Sequence, residues 1–170
     1  MKKPKIYLDT SVISHLDQSN HPDWTASTLK FWEHLKNGKF DVVISTVVEM
    51  EIEDCKEKTK RDRLQGFLDE IEYAMVNIDK NVEDVAKMFI DNGILKPNCM
   101  DDALHLAVAM IYNCDSIVSW NFSHIVNYNT ITGVKIVSAL SGYGKDDIAI
   151  CTPEYFVRGE DDEKDKETCN

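Results

Sequence analysis

The chain has 170 residues, 43% of them hydrophobic and 29% charged, enough for one domain with a full core and too short for two independent ones. Nineteen Lys and Arg against thirty Asp and Glu leave a formal charge of −11, which excludes a nucleic-acid binder that relies on a dominant basic surface. Any polyanion has to be met locally or through a metal ion. No apolar run approaches the roughly 20 residues needed to span a bilayer, and Asp9 comes too early for the hydrophobic region of a secretion signal. The sequence therefore reads as a cytoplasmic protein with no membrane contact. The cysteines at 55, 99, 114, 151 and 169 are odd in number and lack C-x-x-C spacing, so neither a disulfide framework nor a zinc site is expected from them.

Ile6-Tyr7-Leu8 predicts a first strand ending in Asp9-Thr10-Ser11, whose side-chain oxygens can cap a short helix through Val12 and Ile13. Leu29, Trp32 and Leu35 recur at helical spacing within Trp24 to Lys36, and Asn37-Gly38 supplies the stop. Phe40 to Ile44 predicts a second strand. Ser45-Thr46 then caps a helical stretch through Glu51, a further helix covers about 61–72, and Ala74 to Ile78 is a third strand candidate. Val82, Val85, Ala86, Phe89 and Ile90 fit one face of a helix closed by Asn92-Gly93. Asp101-Asp102 open a helix through Tyr112 that is apolar on nearly every side and is expected to be central and buried, with Asn113 as its brake. Ser116 to Ser119 is a fourth strand, a helix lies around Ile131 to Leu140, and Ile148 to Ile150 is a fifth strand. This alternation, in short runs rich in Ile and Val, predicts an α/β fold with a mostly parallel central sheet of about five strands covered by helices on both faces. Residues 158–170 carry a run of acids with no apolar side chain in Glu160 to Glu167 and are expected to form a solvated tail.

In such a sheet, sites form beyond the carboxyl ends of the strands. Asp9 follows the first strand, Glu49 and Glu51 lie in the first turns after the second, Asp101 and Asp102 begin the buried helix, and Asn121 follows the fourth strand. If these strands are neighbours, the side chains converge. Oxygen ligands clustered in this way suit a hard cation, Mg²⁺ or Mn²⁺, which can neutralise phosphate and activate water for in-line hydrolysis. Bland roles stay open at each position: a turn or cap for Asp9, and a favourable helix-dipole contact for Glu49, Glu51 and Asp101. Asp102 leads into the apolar helix, where a buried carboxylate is expensive unless it is ligated or hydrogen-bonded. His105 shares a helical face with Asp102, and the expectation for it is a supporting role behind the ligands.

Four segments resemble, in order and at suitable spacing, the successive motifs of PIN domains, and most closely the bacterial VapC-like branch. They are Ile6 to Ile13, Val43 to Ile52, Asp101-Asp102-Ala103-Leu104-His105-Leu106-Ala107, and Ser119-Trp120-Asn121-Phe122-Ser123-His124-Ile125. The resemblance implies a three-layer α/β/α PIN-like domain over residues 1–157, with the 158–170 tail outside it. It implies a metal-dependent endoribonuclease of toxin–antitoxin type, with RNA as substrate, Mg²⁺ or Mn²⁺ as cofactor, and a cognate antitoxin protein and a homodimer as partners. On that reading Asp9, Glu51 and Asp102 are metal ligands, and Asp101 contributes to a second ion. Glu49 is one position set off the alignment. Many PIN nucleases carry Asp where this chain has Asn121, which offers an oxygen but no charge.

The mechanism this implies has Asp9, Glu51 and Asp102 holding the metal and orienting water toward a phosphodiester, with Asn121 as a further catalytic residue that positions the water or the phosphate. Thr10 and Ser11 either bond a ligand carboxylate or phosphate oxygen or cap the helix. Trp120 and Phe122 either stack a base or fill the core. Lys56, Lys58, Lys60, Arg61 and Arg63 form the dense basic run, which either meets an RNA backbone or is a solvated helix face. Two rivals accompany this reading: a catalytically weak PIN-like binding or regulatory module, favoured by Asn121, and a phosphatase using Asp9 as nucleophile, disfavoured by Ser11 where such enzymes carry a second Asp.

Overall fold

The computed structural model describes residues 2–18, 20–145 and 148–158. Five strands form one sheet: β1 (Lys5–Leu8), β2 (Asp41–Ser45), β3 (Ala74–Val76), β4 (Ser116–Val118) and β5 (Ala149–Cys151). Their order is β3-β2-β1-β4-β5 and every pairing is parallel, so the expected mostly parallel sheet is parallel throughout its described residues. β1 is central. The chain leaves β1 for β2 on one side, while β4 and β5 add on the other. Parallel α/β sheets bind ligands at such a switch of direction, outside the strand carboxyl ends.

The pleat divides the apolar residues between two cores. Ile6, Leu8, Val42, Ile44 and Val118 face α1 (Thr10–His15), α2 (Pro22–Lys36), α3 (Thr46–Glu53) and α4 (Lys58–Leu68). Tyr7, Val43, Val76 and Ile117 face α5 (Lys80–Asp91), α6 (Met100–Ile111) and α7 (Tyr128–Ser141). The three-layer α/β/α architecture follows. α6 is the buried helix that its sequence implied, with Ala103 and the run His105 to Met110 all inside.

Local chemistry explains the ends of several elements. Asp79 accepts from Val82 N at 3.0 Å and Asn127 from Thr130 N at 2.9 Å, capping α5 and α7. Asn113, the expected brake of α6, is left-handed at φ 52°, a conformation Asn tolerates better than most side chains.

Four expectations are corrected. Asp9 and Ser45 precede helices, but neither side chain caps its helix, because each is engaged beyond the sheet edge. Trp32 and Leu35 are buried as expected, but Leu29 is 49% exposed, and Thr28, one residue earlier, takes its place on the buried face with Phe31. The helix expected over 61–72 is α4, which begins at Lys58 and ends at Leu68. A short helix not anticipated, α8 (Glu154–Val157), brings Phe156 against Phe31 with ring centroids 5.2 Å apart. Of the expected acidic tail, residues 159–170 lie outside the described residues.

Candidate active site

The carboxyl ends of β2, β1 and β4 lie side by side, and the side chains just beyond them meet the first turns of α3 and α6. Asp9 follows β1, its amide donating to Val118 O of β4 at 3.1 Å. Its side chain is 6% exposed. Oδ2 accepts from Ser11 Oγ at 2.5 Å and Ser119 Oγ at 2.6 Å, while Oδ1 lies 3.4 Å from His105 Nε2. Two hydroxyls thus fix one oxygen of Asp9 and leave the other facing the imidazole.

Glu51 reaches the same imidazole from the second turn of α3. His105 Nε2 lies 3.3 Å from Glu51 Oε2 and 3.4 Å from Oε1, and the Thr10 hydroxyl donates to Oε2. On the other side of the ring, His105 Nδ1 is 2.6 Å from the Tyr7 hydroxyl, which is itself 2.7 Å from Ser45 Oγ. The chain Ser45–Tyr7–His105 is buried and holds the ring between the two carboxylates. Asp9, Glu51 and His105 form a group that could hold a metal ion.

Asp102 adjoins this group. Asn121 Nδ2 donates to Asp102 Oδ1 at 2.8 Å, and His124 Nδ1 lies 2.9 Å from Asp102 Oδ2. The Asn121 amide oxygen accepts from His124 N at 3.0 Å, which fixes the orientation of the amide. Asn121 therefore presents a donor to Asp102, not the oxygen expected from its sequence position. Its own backbone N–H donates to Ser119 Oγ at 2.9 Å, so hydrogen bonds run from Asp9 through Ser119 and Asn121 to Asp102.

Glu51, Asp9 and Asp102 all act electrostatically on one buried imidazole, that of His105. Burial opposes charge on His105, but the carboxylates of Glu51, Asp9 and Asp102 more than offset it and hold the imidazole's proton above the ordinary range. Burial likewise pushes Glu51 up, and the bonds and charge of His105 with the Thr10 hydroxyl bring it below its usual value. At Asp102, burial and the nearby charge of Asp9 outweigh the pull of His124 and His105, leaving its carboxyl above the usual range.

The expected residues are thus brought together in part. Asp9, Glu51, His105 and Thr10 share one network, joined by Ser11 at Asp9 and by Asn121 at Asp102. Glu49 and Asp101 are exposed. Asp101 borders a cavity of about 230 Å³ with Glu51, Met50 and Leu104, set apart from the hydrogen bonds of the central group. His105, expected in a supporting role behind the candidate ligands, lies between Asp9 and Glu51, because its place one turn after Asp102 on α6 points it at β1 and α3. Ser119, Tyr7, Ser45 and His124 were missed as site residues. Ser119 and His124 lie within the quoted Ser-Trp-Asn-Phe-Ser-His segment, whereas Tyr7, inside β1, and Ser45, at the end of β2, carry no signal beyond their place in strands that face a buried helix.

Among the aromatic candidates, Trp120 is 4% exposed, stacked on Trp24 at 4.9 Å and bonded through Nε1 to Thr28 Oγ1, so it has no face left for a base. Phe122 is exposed beside it. The basic run is mostly engaged locally: Arg63 pairs with Asp17, Lys58 with Asp62, and Arg61 meets the carbonyls of Glu53 and Cys55.

The PIN domain family model matches residues 6–121, which is more than half of the chain. The chain belongs to the PIN domain family. The matched span contains Asp9, Glu51, Asp102 and Asn121 and runs from β1 to Asn121, three residues past the end of β4. Among solved structures, a chain of VapBC2 from Rickettsia felis, in a crystal structure with a DNA fragment from the promoter, is similar at 19% identity. The match covers 68% of this chain and 87% of that one with a TM-score of 0.50. No curated protein matches the chain. Among the described residues, no helix of this PIN domain is long and apolar enough to cross a membrane.

Proposed function

We propose that this PIN domain is a metal-dependent endoribonuclease of the toxin-like, VapC-related kind, with Asp9, Glu51 and Asp102 as the residues that hold Mg²⁺ or Mn²⁺. The observation that carries this reading is the convergence of Asp9 and Glu51, from β1 and α3, on one buried imidazole, with Asp102 of α6 tied to Asp9 through Ser119 and Asn121, beyond the switch point of a parallel sheet. The donor set fits a hard divalent cation: carboxylate oxygens predominate, and Asp102 is an acid whose ionisation burial and Asp9 oppose. When bound, such an ion neutralises phosphate charge and lowers the pKa of water.

The protein's own residues have separable tasks in this reading. Ser11 and Ser119 fix Asp9 through one oxygen and leave the other directed inward. Thr10 holds Glu51, and Asn121 holds Asp102 by donating to it. His105, whose pKa the neighbouring carboxylates raise, lies between Asp9 and Glu51 and holds them together. Phe122, exposed next to Asn121, offers the ring on which a base of single-stranded RNA can stack. Asp101 remains a candidate for a second ion arriving with the phosphate.

An antitoxin partner is supported by the similarity to VapBC2, and a surface of suitable chemistry adjoins the site. Met50 is 60% exposed, Met100 37%, and Leu104 lines cavities beside both, next to Glu51. Exposed methionines around a polar centre suit a partner that covers the site.

The test is cleavage of a mixed panel of structured RNAs by purified wild-type protein with Mg²⁺, Mn²⁺ or chelator, beside Asp9→Asn and Asp102→Asn prepared identically. Metal-dependent cutting that both variants lose supports the proposal. Equal cutting by all three proteins would overturn the site assignment. Metal binding without cutting by the wild type would favour the binding-module reading, to which Asn121 lends weight.

A further inference from the structure

Besides the Asp9–Glu51–His105 group, Cys99, Asp102 and His124 bring one ligand atom each to within 4.8 Å of one another. We infer that these three side chains form a second cation site, for a thiophilic ion of the zinc type, and that an ion there competes with the hard-cation centre for Asp102. The competition rests on the function proposed above; the site itself does not.

The placement is organised by backbone. Cys99 is the N-cap of α6 and Asp102 lies in its first turn, so residues three apart project from one face of the helix. His124 comes from the loop after β4, with both backbone groups held: its N–H donates to Asn121 Oδ1 at 3.0 Å, and its carbonyl accepts from Thr130 Oγ1 at 2.6 Å. The imidazole is already 2.9 Å from Asp102 Oδ2. The thiol is 4% exposed, and its hydrogen-bond partner is Asn98 Oδ1 at 3.7 Å, a weak contact to give up. A cavity of about 280 Å³, lined by Cys99, His124, Lys96, Ser123 and Thr130 among others, gives solvent and ions a way in.

The chemistry of the donors sets the class of ion. A sulfur, an imidazole nitrogen and a carboxylate oxygen match the preferences of Zn²⁺ and poorly suit Mg²⁺. Bonds of roughly 2.0–2.3 Å at tetrahedral angles put ligand atoms about 3.5 Å apart. The observed separations of up to 4.8 Å therefore close by about 1 Å, a movement open to His124 because its side chain is 44% exposed. Binding replaces the thiol proton by the ion and releases that proton to solvent, so no electron transfer is involved. Three protein ligands leave one position to water, which makes the site reversible instead of structural. With Asp102 drawn to the thiol side, the centre of Asp9 and Glu51 loses its third carboxylate.

The test uses the full-length, metal-free protein titrated with Co²⁺, a spectroscopic substitute for Zn²⁺ whose thiolate bond gives a charge-transfer absorption. One equivalent of signal is expected, reversed by Zn²⁺, lost in Cys99→Ser, weakened roughly tenfold or more in His124→Gln and retained in Asp9→Asn. Because His124 is half-exposed, His124→Gln decides the matter where Cys99→Ser disturbs packing. A signal that survives Cys99→Ser at full affinity arises from another cysteine, one that survives His124→Gln at full affinity does not use this imidazole, and either overturns the inference. Where Mn²⁺-dependent RNA cleavage is measurable, Zn²⁺ suppresses it in the wild type, and the required Zn²⁺ concentration rises roughly tenfold in Cys99→Ser. Zn²⁺-insensitive cleavage alongside the Co²⁺ signal refutes the competition. The Co²⁺ signal with no RNA cut under any metal leaves the site standing and counts against the nuclease function instead.

Discussion

Asn121→Asp asks whether the amide beside Asp102 is there to spare the protein a fourth charge. The wild-type Asn121 Nδ2 donates to Asp102 Oδ1 at 2.8 Å, so the substitution replaces a donor with a carboxylate oxygen at that separation. At an effective dielectric near 20, two such charges repel by about 6 kcal/mol. The folded protein escapes part of this by keeping one proton in the pair, at a cost at pH 7 of about 4 kcal/mol relative to an unfolded carboxyl of ordinary pKa. The expected destabilisation without metal is therefore about 2–4 kcal/mol at pH 7, a fall in Tm of roughly 4–16 °C for a chain of this size. The sign with pH is fixed by linkage. The variant pair binds a proton more tightly folded than unfolded, so the penalty is absent below about pH 4 and grows by about 1.4 kcal/mol per unit as pH rises toward the folded value. Asp102, already held above its usual range by burial and Asp9, starts the pair from the unfavourable side. A divalent cation reverses the effect, because saturation to 100 times Kd returns about 2.7 kcal/mol, and the extra charge strengthens binding. The assay is urea unfolding from pH 4 to 8 with chelator and with Mn²⁺, for both proteins. A variant as stable as wild type at pH 7 without metal, or with the same gain on adding Mn²⁺, refutes the adjacency and the charge argument together.

Tyr7→Phe leaves His105 Nδ1 and Ser45 Oγ buried without the hydroxyl between them, so a loss of about 2–4 kcal/mol is expected, with sub-additive cost when Ser45→Ala is added; strict additivity in the double-mutant cycle refutes the relay. Gly133→Ala puts a methyl within 2.9 Å of Ile94 Cδ1 where α7 crosses the end of α5, and overpacking lowers stability by about 1–3 kcal/mol in equilibrium unfolding; an unchanged midpoint counts against that close approach. In chelator, His105 lends stability through its charge that is full below its unfolded pKa of 6.5 and lost as pH rises through its higher folded value. His105→Gln should remove that dependence, and an identical pH profile for the two proteins would tell against it. Burial pushes the Cys114 and Cys151 thiols up to about 12, so native-state alkylation at pH 8 should be about a thousandfold slower than for a thiol of pKa 9.0; labelling of either at the rate of the unfolded chain refutes their burial.

Much of this protein is legible along the chain because periodicity and order are local properties. The run Val82 to Ile90, the apolar Ala103 to Met110 and the β-branched Val42 to Ile44 state their own elements, and the strand–helix alternation admits few architectures other than a covered parallel sheet. Asp9, Glu51, Asp102 and Asn121 were nameable for the same reason: each sits just past a strand or at the head of a helix, where such a sheet puts its sites. What each acid touches was not legible. Whether Asp9 caps a helix or is bonded by Ser119, 110 positions away, depends on β1 and β4 being neighbours, which no local pattern specifies. His105 looked like a residue behind the candidate ligands and stands between Asp9 and Glu51, because the rotation of α6 over β1 is set by core packing of both faces. Asn121 looked like a weak oxygen ligand and is a donor, because a backbone N–H three residues on takes its carbonyl. Cysteine spacing gave no metal signal, and yet the fold lays Cys99 beside Asp102 and His124. Sequence fixes the chemistry that each segment brings; the distances between segments, and with them every charge balance at the site, are products of how the layers pack.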